Sequence, residues 1–263
     1  MNQGNRTAAA RLLLALIVVG SLVISGCARP AVTPVAPTPG ASAPGPAVTP
    51  PAAEQPEPPA QTVDPSSGAT TPSPDPSIKE VEGLVDVTQL DNTFVIELRY
   101  ATEDNFTGKK IYTEAKCLLM RGTAEKLAAA NREFAEMGYR LKIWDAYRPL
   151  SAQQTLWDVV SDRSFVADPK KGSIHNRGAA VDVTLVDNNG NELPMPTGFD
   201  DFSEKASITY DGCSEEEARN RELLAEVMMR NGFVRYDAEW WHFTDSDAGN
   251  YPLLDVQFDE FDD

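Results

Sequence analysis

The stretch SIHNRGAAVD at residues 173–182 joins a polar loop to the start of an apolar strand, which we predict for residues 179–185. His175 falls in the loop, and Asp182 follows inside the strand. Small residues between the two let the backbone bend closely. Taken alone, this spacing is weak evidence for a shared site, because a surface histidine in a loop and an acid at a strand edge would show the same spacing.

A second stretch, EWWH at residues 239–242, contains the other of the chain's two histidines. Residues three apart on a regular strand point to opposite faces. Glu239 and His242 can therefore share one site only if a bulge or turn lies at Trp240 and Trp241. The alternative is an exposed glutamate, a core histidine and two core tryptophans.

Two imidazoles and one carboxylate complete the protein shell of a catalytic zinc, which leaves the fourth position for water. We therefore predict one Zn²⁺ held by His175, Asp182 and His242. Glu239, three residues before a ligand, is placed to act on that water.

The segment DAYRP at residues 145–149 directly follows a predicted strand over 140–144. Arg148 precedes a proline, which favours an extended backbone. Its guanidinium could lie beside a reacting carbonyl, or it could form a structural ion pair with Asp145. The two roles are compatible, since Asp145 could orient Arg148.

The rest of the folded part mixes helices and strands without a regular alternation, which favours an α+β single domain. Further strands are predicted at residues 93–99 and 233–244, the latter as a strand or a strand pair. Helices are predicted from Thr123 to Gly138, from Pro149 to about Val160, and from a Ser214 cap with Glu217 in a capping box to Gly232.

The first 27 residues have the pattern of an export signal, with two arginines before an apolar run at 12–24 that ends in ISGC. Small residues before Cys27 resemble the lipobox of bacterial lipoproteins, so we expect this cysteine to carry a lipid. A plain secretory signal and a retained anchor helix are the alternatives. The expected location is outside the cell interior, anchored to the outer face of the bacterial cytoplasmic membrane or in the periplasm.

Residues 28–77 hold most of the chain's 20 prolines, mixed with Ala and Thr. Such a segment cannot bury enough apolar surface to order itself, so we predict a disordered tether. The folded domain then spans residues 78–263.

The chain has 23 Lys and Arg against 40 Asp and Glu, a net charge of −17, which argues against nucleic acid as a partner. Outside the cytoplasm, Cys117 and Cys213 could pair as a disulfide. Two free thiols, or zinc ligands, are the alternatives. The oligomeric state is left open.

Four stretches together resemble the VanX-type D-alanyl-D-alanine dipeptidases, zinc peptidases related to D-Ala-D-Ala carboxypeptidases and to the hedgehog N-terminal domain. These are RYATEDNFTG at 99–108, WDAYRP at 144–149, SIHNRGAAVD at 173–182 and EWWHF at 239–243. They occur in the family's order, and the resemblance covers about residues 97–244. It implies a central, mainly antiparallel sheet flanked by helices.

The resemblance also implies roles for eight residues. His175, Asp182 and His242 match the zinc ligands, Glu239 the catalytic acid/base, and Arg148 the residue that stabilises the transition state. Ser173 and Tyr100 match residues that line the substrate site. Asp200 matches the acid that helps to hold the substrate ammonium.

The expected activity is hydrolysis of the free dipeptide D-Ala-D-Ala in cell-wall peptide metabolism. Closure of the site by Tyr100, Trp240 or Trp241 would exclude longer peptides. A D,D-carboxypeptidase that trims peptidoglycan stem peptides is the nearest alternative, and a noncatalytic zinc-containing binder of wall peptides is another. The export signal departs from well-known resistance-associated members of the family.

Overall fold

The computed structural model describes residues 76–160 and 166–262, all within one compact unit of the chain. This part has eight strands and three α-helices. The strands are β1 (Glu80–Val81), β2 (Leu84–Asp86), β3 (Val95–Ile96), β4 (Leu118–Met120), β5 (Tyr139–Asp145), β6 (Ala180–Asp187), β7 (Phe233–Tyr236) and β8 (Glu239–Asp245). The helices are α1 (Arg121–Glu136), α2 (Leu150–Val159) and α3 (Glu215–Arg230).

The main sheet has five strands in the order β3-β5-β6-β8-β7, and a small sheet has the order β1-β2-β4. Only β3 and β5 are parallel in the main sheet, while its other neighbours are antiparallel. The predicted α+β domain with a mainly antiparallel central sheet is confirmed.

Helices α1 and α3 pack with the main sheet around one hydrophobic core. In α1 the buried side chains include Leu127, Ala128 and Phe134, whose spacing gives the helix one apolar face. In α3 the predicted capping box is confirmed, with the Glu217 N–H donating to Ser214 Oγ and the Ser214 N–H donating to the Glu217 carboxylate. Gly232, at φ +89°, follows the end of α3 as predicted.

The predicted strand at residues 93–99 was wrong in its extent, since only Val95 and Ile96 pair with β5. The chain then turns into a 3₁₀ segment at Arg99–Ala101. This turn buries Tyr100 at 3% exposure on the side of the sheet that carries the candidate site. The other predicted elements agree with the structure to within a few residues, and α1 begins at Arg121 rather than Thr123.

Two irregularities in the sheet shape the candidate site. Trp144 interrupts the pairing of β5 with β6, so that Asp145 lies opposite Asp182. Between β7 and β8 the register jumps from Arg235–Phe243 to Tyr236–Glu239, which leaves residues 240–242 as a bulge on β8. The distortion predicted at Trp240 and Trp241 is confirmed.

The predicted export signal at 1–27 and nearly all of the predicted tether at 28–77 lie outside the described residues. Among the described helices, none has the length and apolar character needed to cross a bilayer. Cys117 and Cys213 are both free thiols, and Cys117 is buried in the core.

Candidate metal and active site

Three side chains converge on one point of the main sheet, and their ligand atoms all lie within 4.8 Å of one another. Asp182 on β6 lies directly opposite His242 on β8, so the two side chains share one face of the sheet. His175 comes from a 3₁₀ turn at Ile174–Arg177 that precedes β6. All three residues are buried, at 2–4% exposure.

The turn that carries His175 is held by local sequence. Ser173 Oγ accepts a hydrogen bond from the His175 N–H, and the Asn176 side chain bonds back to the Ser173 N–H. Gly178 ends the turn at φ +62°, where a Cβ atom would lie 2.5 Å from Leu84 Cδ2. Only glycine fits here without displacing the small sheet, which explains part of the RGAA sequence between the ligands.

Hydrogen bonds behind the two imidazoles direct one nitrogen of each ring toward the centre. His175 Nδ1 lies 2.8 Å from the carbonyl oxygen of Ala146, which can only accept, so the proton is on Nδ1 and the Nε2 lone pair faces inward. His242 Nε2 lies 3.2 Å from Thr244 Oγ1, which leaves Nδ1 facing inward. Partners of this kind orient metal-binding histidines.

The inward atoms are close together. His242 Nδ1 lies 2.9 Å from Asp182 Oδ1, and His175 Nε2 lies 3.5 Å from Asp182 Oδ2. Burial opposes ionisation of Asp182, but the two histidines outweigh it and hold the pKa of that carboxyl below its usual range. A carboxylate and two inward nitrogens form a donor set that fits a tetrahedral metal ion with one open position.

Glu239 lies beside this group rather than in it. Its Oε2 atom is 4.0 Å from His242 Nδ1, and its side chain is 28% exposed at the edge of the cavity. Burial of the carboxyl raises the pKa of Glu239 to about 7. A cation bound by the three ligands would lower that pKa, so the carboxylate would be ready to accept a proton near neutral pH.

Arg148 is held by a buried network that confirms the predicted pair with Asp145. Its Nη2 atom lies 2.5 Å from Asp145 Oδ2, and its Nη1 donates to Gln153 Oε1 at 2.8 Å. Its Nε donates to the Tyr112 hydroxyl, which itself donates to Asp145. Burial would lower the pKa of Arg148, but Asp145 outweighs this and raises it, so the guanidinium stays charged.

Tyr100 and Asp200 also line the cavity that contains these residues. The Tyr100 hydroxyl donates to Asp200 Oδ2 at 3.1 Å, and the Tyr100 ring lies 5.0 Å from Arg148 Cζ. Burial, followed by repulsion from Asp182, raises the pKa of Asp200 well above its usual range. A ligand ammonium would relieve this cost, because it would pair with the ionised form.

All eight residues predicted for the site line one small cavity of about 70 Å³. Its apolar walls are Leu156, Val166, Ala167, Phe202 and Trp241. Pockets for drug-sized ligands are typically about 300–1,000 Å³. The cavity therefore suits a very small ligand.

Trp240 is the exception among the predicted walls. It lines a separate cavity of about 350 Å³ together with Trp144 and residues 192–195, and its indole N–H donates to Thr197 Oγ1 at 2.8 Å. Trp241 and Tyr100 do line the site cavity. Trp240 and Trp241 therefore line different cavities although they are adjacent in the chain.

Sequence reasoning missed Tyr112, Gln153, Thr244 and Phe202. Thr244 had a signal, because it lies two residues after His242 on the same strand and therefore on the same face. Tyr112, in a loop before β4, and Gln153 had none, since nothing local to either residue indicates that it bonds to Arg148.

Residues 80–263 match the family model described as D-Ala-D-Ala dipeptidase, of the M15 peptidases. The chain belongs to this family. It is 43% identical over 178 residues to the D-alanyl-D-alanine dipeptidase of Escherichia coli strain K12, which covers 68% of this chain and 92% of that protein.

Two other members are more distant. The D-alanyl-D-alanine dipeptidase of Enterococcus faecium is 34% identical over 56% of this chain and 83% of its own length. That of Streptomyces coelicolor is 31% identical over 62% of this chain and 90% of its own length. As a member of the D-Ala-D-Ala dipeptidase family, the chain is a peptidase, and the family depends on a metal.

Proposed function

We propose that this protein hydrolyses the free dipeptide D-Ala-D-Ala to two molecules of D-alanine, using one Zn²⁺ held by His175, Asp182 and His242. The observation that carries the proposal is the convergence of these three ligands within 4.8 Å, with Glu239 Oε2 4.0 Å from His242 Nδ1. The names of the relatives support the choice of substrate.

A zinc ion bound by the three ligands would activate a water molecule and polarise the carbonyl oxygen of the scissile bond. Zinc suits the site because two imidazoles and one carboxylate are a donor set it commonly takes. The inward orientation of His175 Nε2 and His242 Nδ1 supports binding through these two atoms.

Glu239 is the proposed proton carrier. Its carboxylate takes a proton from the attacking water and later delivers it to the nitrogen of the leaving D-alanine. Its position beside His242, outside the ligand group, leaves both of its oxygens available for this transfer. A noncatalytic binder of wall peptides would have no use for a carboxylate in this place.

Arg148 is the proposed electrostatic partner of the carbonyl oxygen, which gains negative charge as water attacks. Asp145, Gln153 and Tyr112 hold its guanidinium in place, so little reorganisation is needed during the reaction. Asp200, bonded to Tyr100, receives the ammonium of the substrate, and Ser173 is placed to hydrogen bond with it.

The size of the cavity favours a dipeptidase over a D,D-carboxypeptidase. The substrate of a carboxypeptidase carries a long acyl chain where the dipeptide has its ammonium, and a cavity of about 70 Å³ gives such a chain little room. The buried carboxyl of Asp200 favours a charged ammonium at the same place.

The deciding experiment is hydrolysis of the four stereoisomers of dialanine by the purified, zinc-loaded protein, beside a stem pentapeptide ending in D-Ala-D-Ala. We expect release of D-alanine from the D,D isomer and little from the pentapeptide. Faster cleavage of the pentapeptide than of the dipeptide would show that the protein is a D,D-carboxypeptidase instead. Binding without turnover would favour the noncatalytic binder of wall peptides.

We further propose that the protein is exported and held by a lipid on Cys27, with residues 28–77 as the tether. The support is the ISGC sequence after an apolar run. Metabolic labelling with a radioactive fatty acid tests this, because label should enter the full chain and should be lost in Cys27→Ser.

A further inference from the structure

Two phenylalanines from separate loops meet at the edge of the site cavity. Phe202 lines the cavity, and Phe106 packs edge-on against it with ring centroids 5.0 Å apart at 84°. We call this pair the aromatic wall. Phe106 is 37% exposed, so the wall lies between the cavity and solvent.

The loop that carries Phe106 is held rigidly by its neighbour Asn105. The Asn105 amide nitrogen donates to the carbonyl oxygens of Thr102 and Lys109, both at 2.8 Å. Its Oδ1 atom accepts from the backbone N–H and the hydroxyl of Thr107, at 2.9 and 2.6 Å. A loop tied through one side chain in this way presents Phe106 in a defined position.

The wall stands next to the residues that receive the substrate ammonium. Phe202 follows Asp200 by two residues, and Phe106 also packs edge-on against Tyr100, with centroids 6.4 Å apart. Tyr100 donates to Asp200. Asp200 itself has a left-handed backbone at φ +58°, which turns the chain sharply between the acid and Phe202.

We infer that Phe106 and Phe202 determine substrate length, by filling the space that a residue joined to the amino end of the dipeptide would need. The inference rests on the proposed function, in which Asp200 receives the ammonium. Asp200 selects the charge of the amino end and the aromatic wall selects its size. The wall therefore rejects even an extended peptide that still carries an ammonium.

The experiment compares D-Ala-D-Ala with glycyl-D-Ala-D-Ala, which keeps an ammonium but places it one residue farther out. Cleavage of the tripeptide between its alanines gives D-alanine and glycyl-D-alanine, and the latter marks cleavage of the tripeptide. The variants are Phe202→Ala, Phe106→Ala and the pair together, with Phe202→Leu as a bulk-preserving variant. Met229→Ala, an exposed residue on α3, is the matched control.

Two quantities are measured for the full chain loaded with zinc. One is the ratio of kcat/KM for the tripeptide to that for the dipeptide. The other is the ratio of the two dissociation constants, by calorimetry in a Glu239→Gln background so that peptide is not consumed. Removal of a wall side chain should shift both ratios toward the tripeptide by about tenfold or more, the usual scale for a lost apolar pocket contact.

Phe202→Leu should keep most of the discrimination, and Met229→Ala should keep all of it. Ratios that stay within twofold of the unaltered protein in all three alanine variants overturn the inference, as does failure of the tripeptide to bind any of those variants. Binding ratios that shift while the unaltered protein cleaves neither peptide support the wall and instead refute the proposed function.

Discussion

His175 Nε2 lies 3.3 Å from His242 Nδ1, although 66 residues separate the two in the chain. Different nitrogens of the two rings face each other because the second nitrogen of each ring has a hydrogen-bond partner on its outer side. His175 Nδ1 is bonded to the carbonyl oxygen of Ala146, and His242 Nε2 is bonded to Thr244 Oγ1. Two ring nitrogens and a carboxylate that face one another at such short distances form a donor set for a cation. This relationship supports the metal site more strongly than the identity of the residues does.

Removal of His242 should abolish metal binding. We expect His242→Ala to retain well under one zinc per chain, measured by elemental analysis after dialysis. Thr244→Val is the companion variant, because it keeps the ligand and removes only the hydroxyl behind Nε2; its metal affinity should fall by about 10- to 100-fold. Full zinc content in His242→Ala would contradict the ligand set.

Glu239→Gln should separate metal binding from hydrolysis. The variant keeps the shape of the side chain but cannot take a proton, so turnover of D-Ala-D-Ala should fall by about 100- to 10,000-fold. Zinc content should stay near one per chain, because Glu239 lies outside the ligand group. Normal turnover in this variant would refute the role proposed for Glu239.

Arg148→Ala should lower both activity and stability. Loss of an electrostatic partner costs about 100- to 1,000-fold in kcat. The change also leaves Asp145, at 0% exposure, without its ion-pair partner, which costs about 3–5 kcal/mol of the free energy of unfolding.

The matched variant for this prediction is Gln153→Leu, which removes one hydrogen bond to Arg148 and keeps the guanidinium. It should lower kcat much less than Arg148→Ala does. Urea denaturation and steady-state kinetics are the two measurements. Loss of stability with unchanged kcat in Arg148→Ala would show that Arg148 serves only in a structural ion pair with Asp145.

Asp91 should contribute to stability in a pH-dependent way. Burial opposes its ionisation, but hydrogen bonds from Thr93 and Asn131 outweigh this and lower the pKa of Asp91 from the ordinary value of 3.8. A lowered pKa means that the carboxylate stabilises the fold above about pH 4 and that this contribution is lost as the pH falls through the lowered pKa.

Asp91→Asn should therefore reduce the free energy of unfolding by about 1 kcal/mol at pH 7, the scale of one net hydrogen bond. The difference from the unaltered protein should shrink between pH 5 and pH 3, measured by urea denaturation at each pH. Glu226→Gln, an exposed residue on α3, is the control and should show no such trend. A difference that grows toward pH 3 would contradict the assignment.

Most of the candidate site could be predicted because the residues proposed as metal ligands and as the acid lie in two short stretches. His175 and Asp182 share one such stretch, and Glu239 and His242 share another. The bulge at residues 240–242 followed from the geometry of a strand, since without it Glu239 and His242 would face apart. The strand at 93–99 was overestimated because β-forming residues lie on both sides of the two that pair with β5 and lead directly into the turn that carries Tyr100.

The sequence by itself determined the family and the α+β class, and it predicted the metal ligands and the proton carrier that we propose, since each depends on residue types at short spacings. Only the tertiary structure decided which nitrogen of each histidine faces inward and that Tyr112 and Gln153 hold Arg148. It also decided that Trp241 and Phe202 line the site cavity and that Trp240 does not. These contacts join residues far apart in the chain, and their distances are set by strand register and packing.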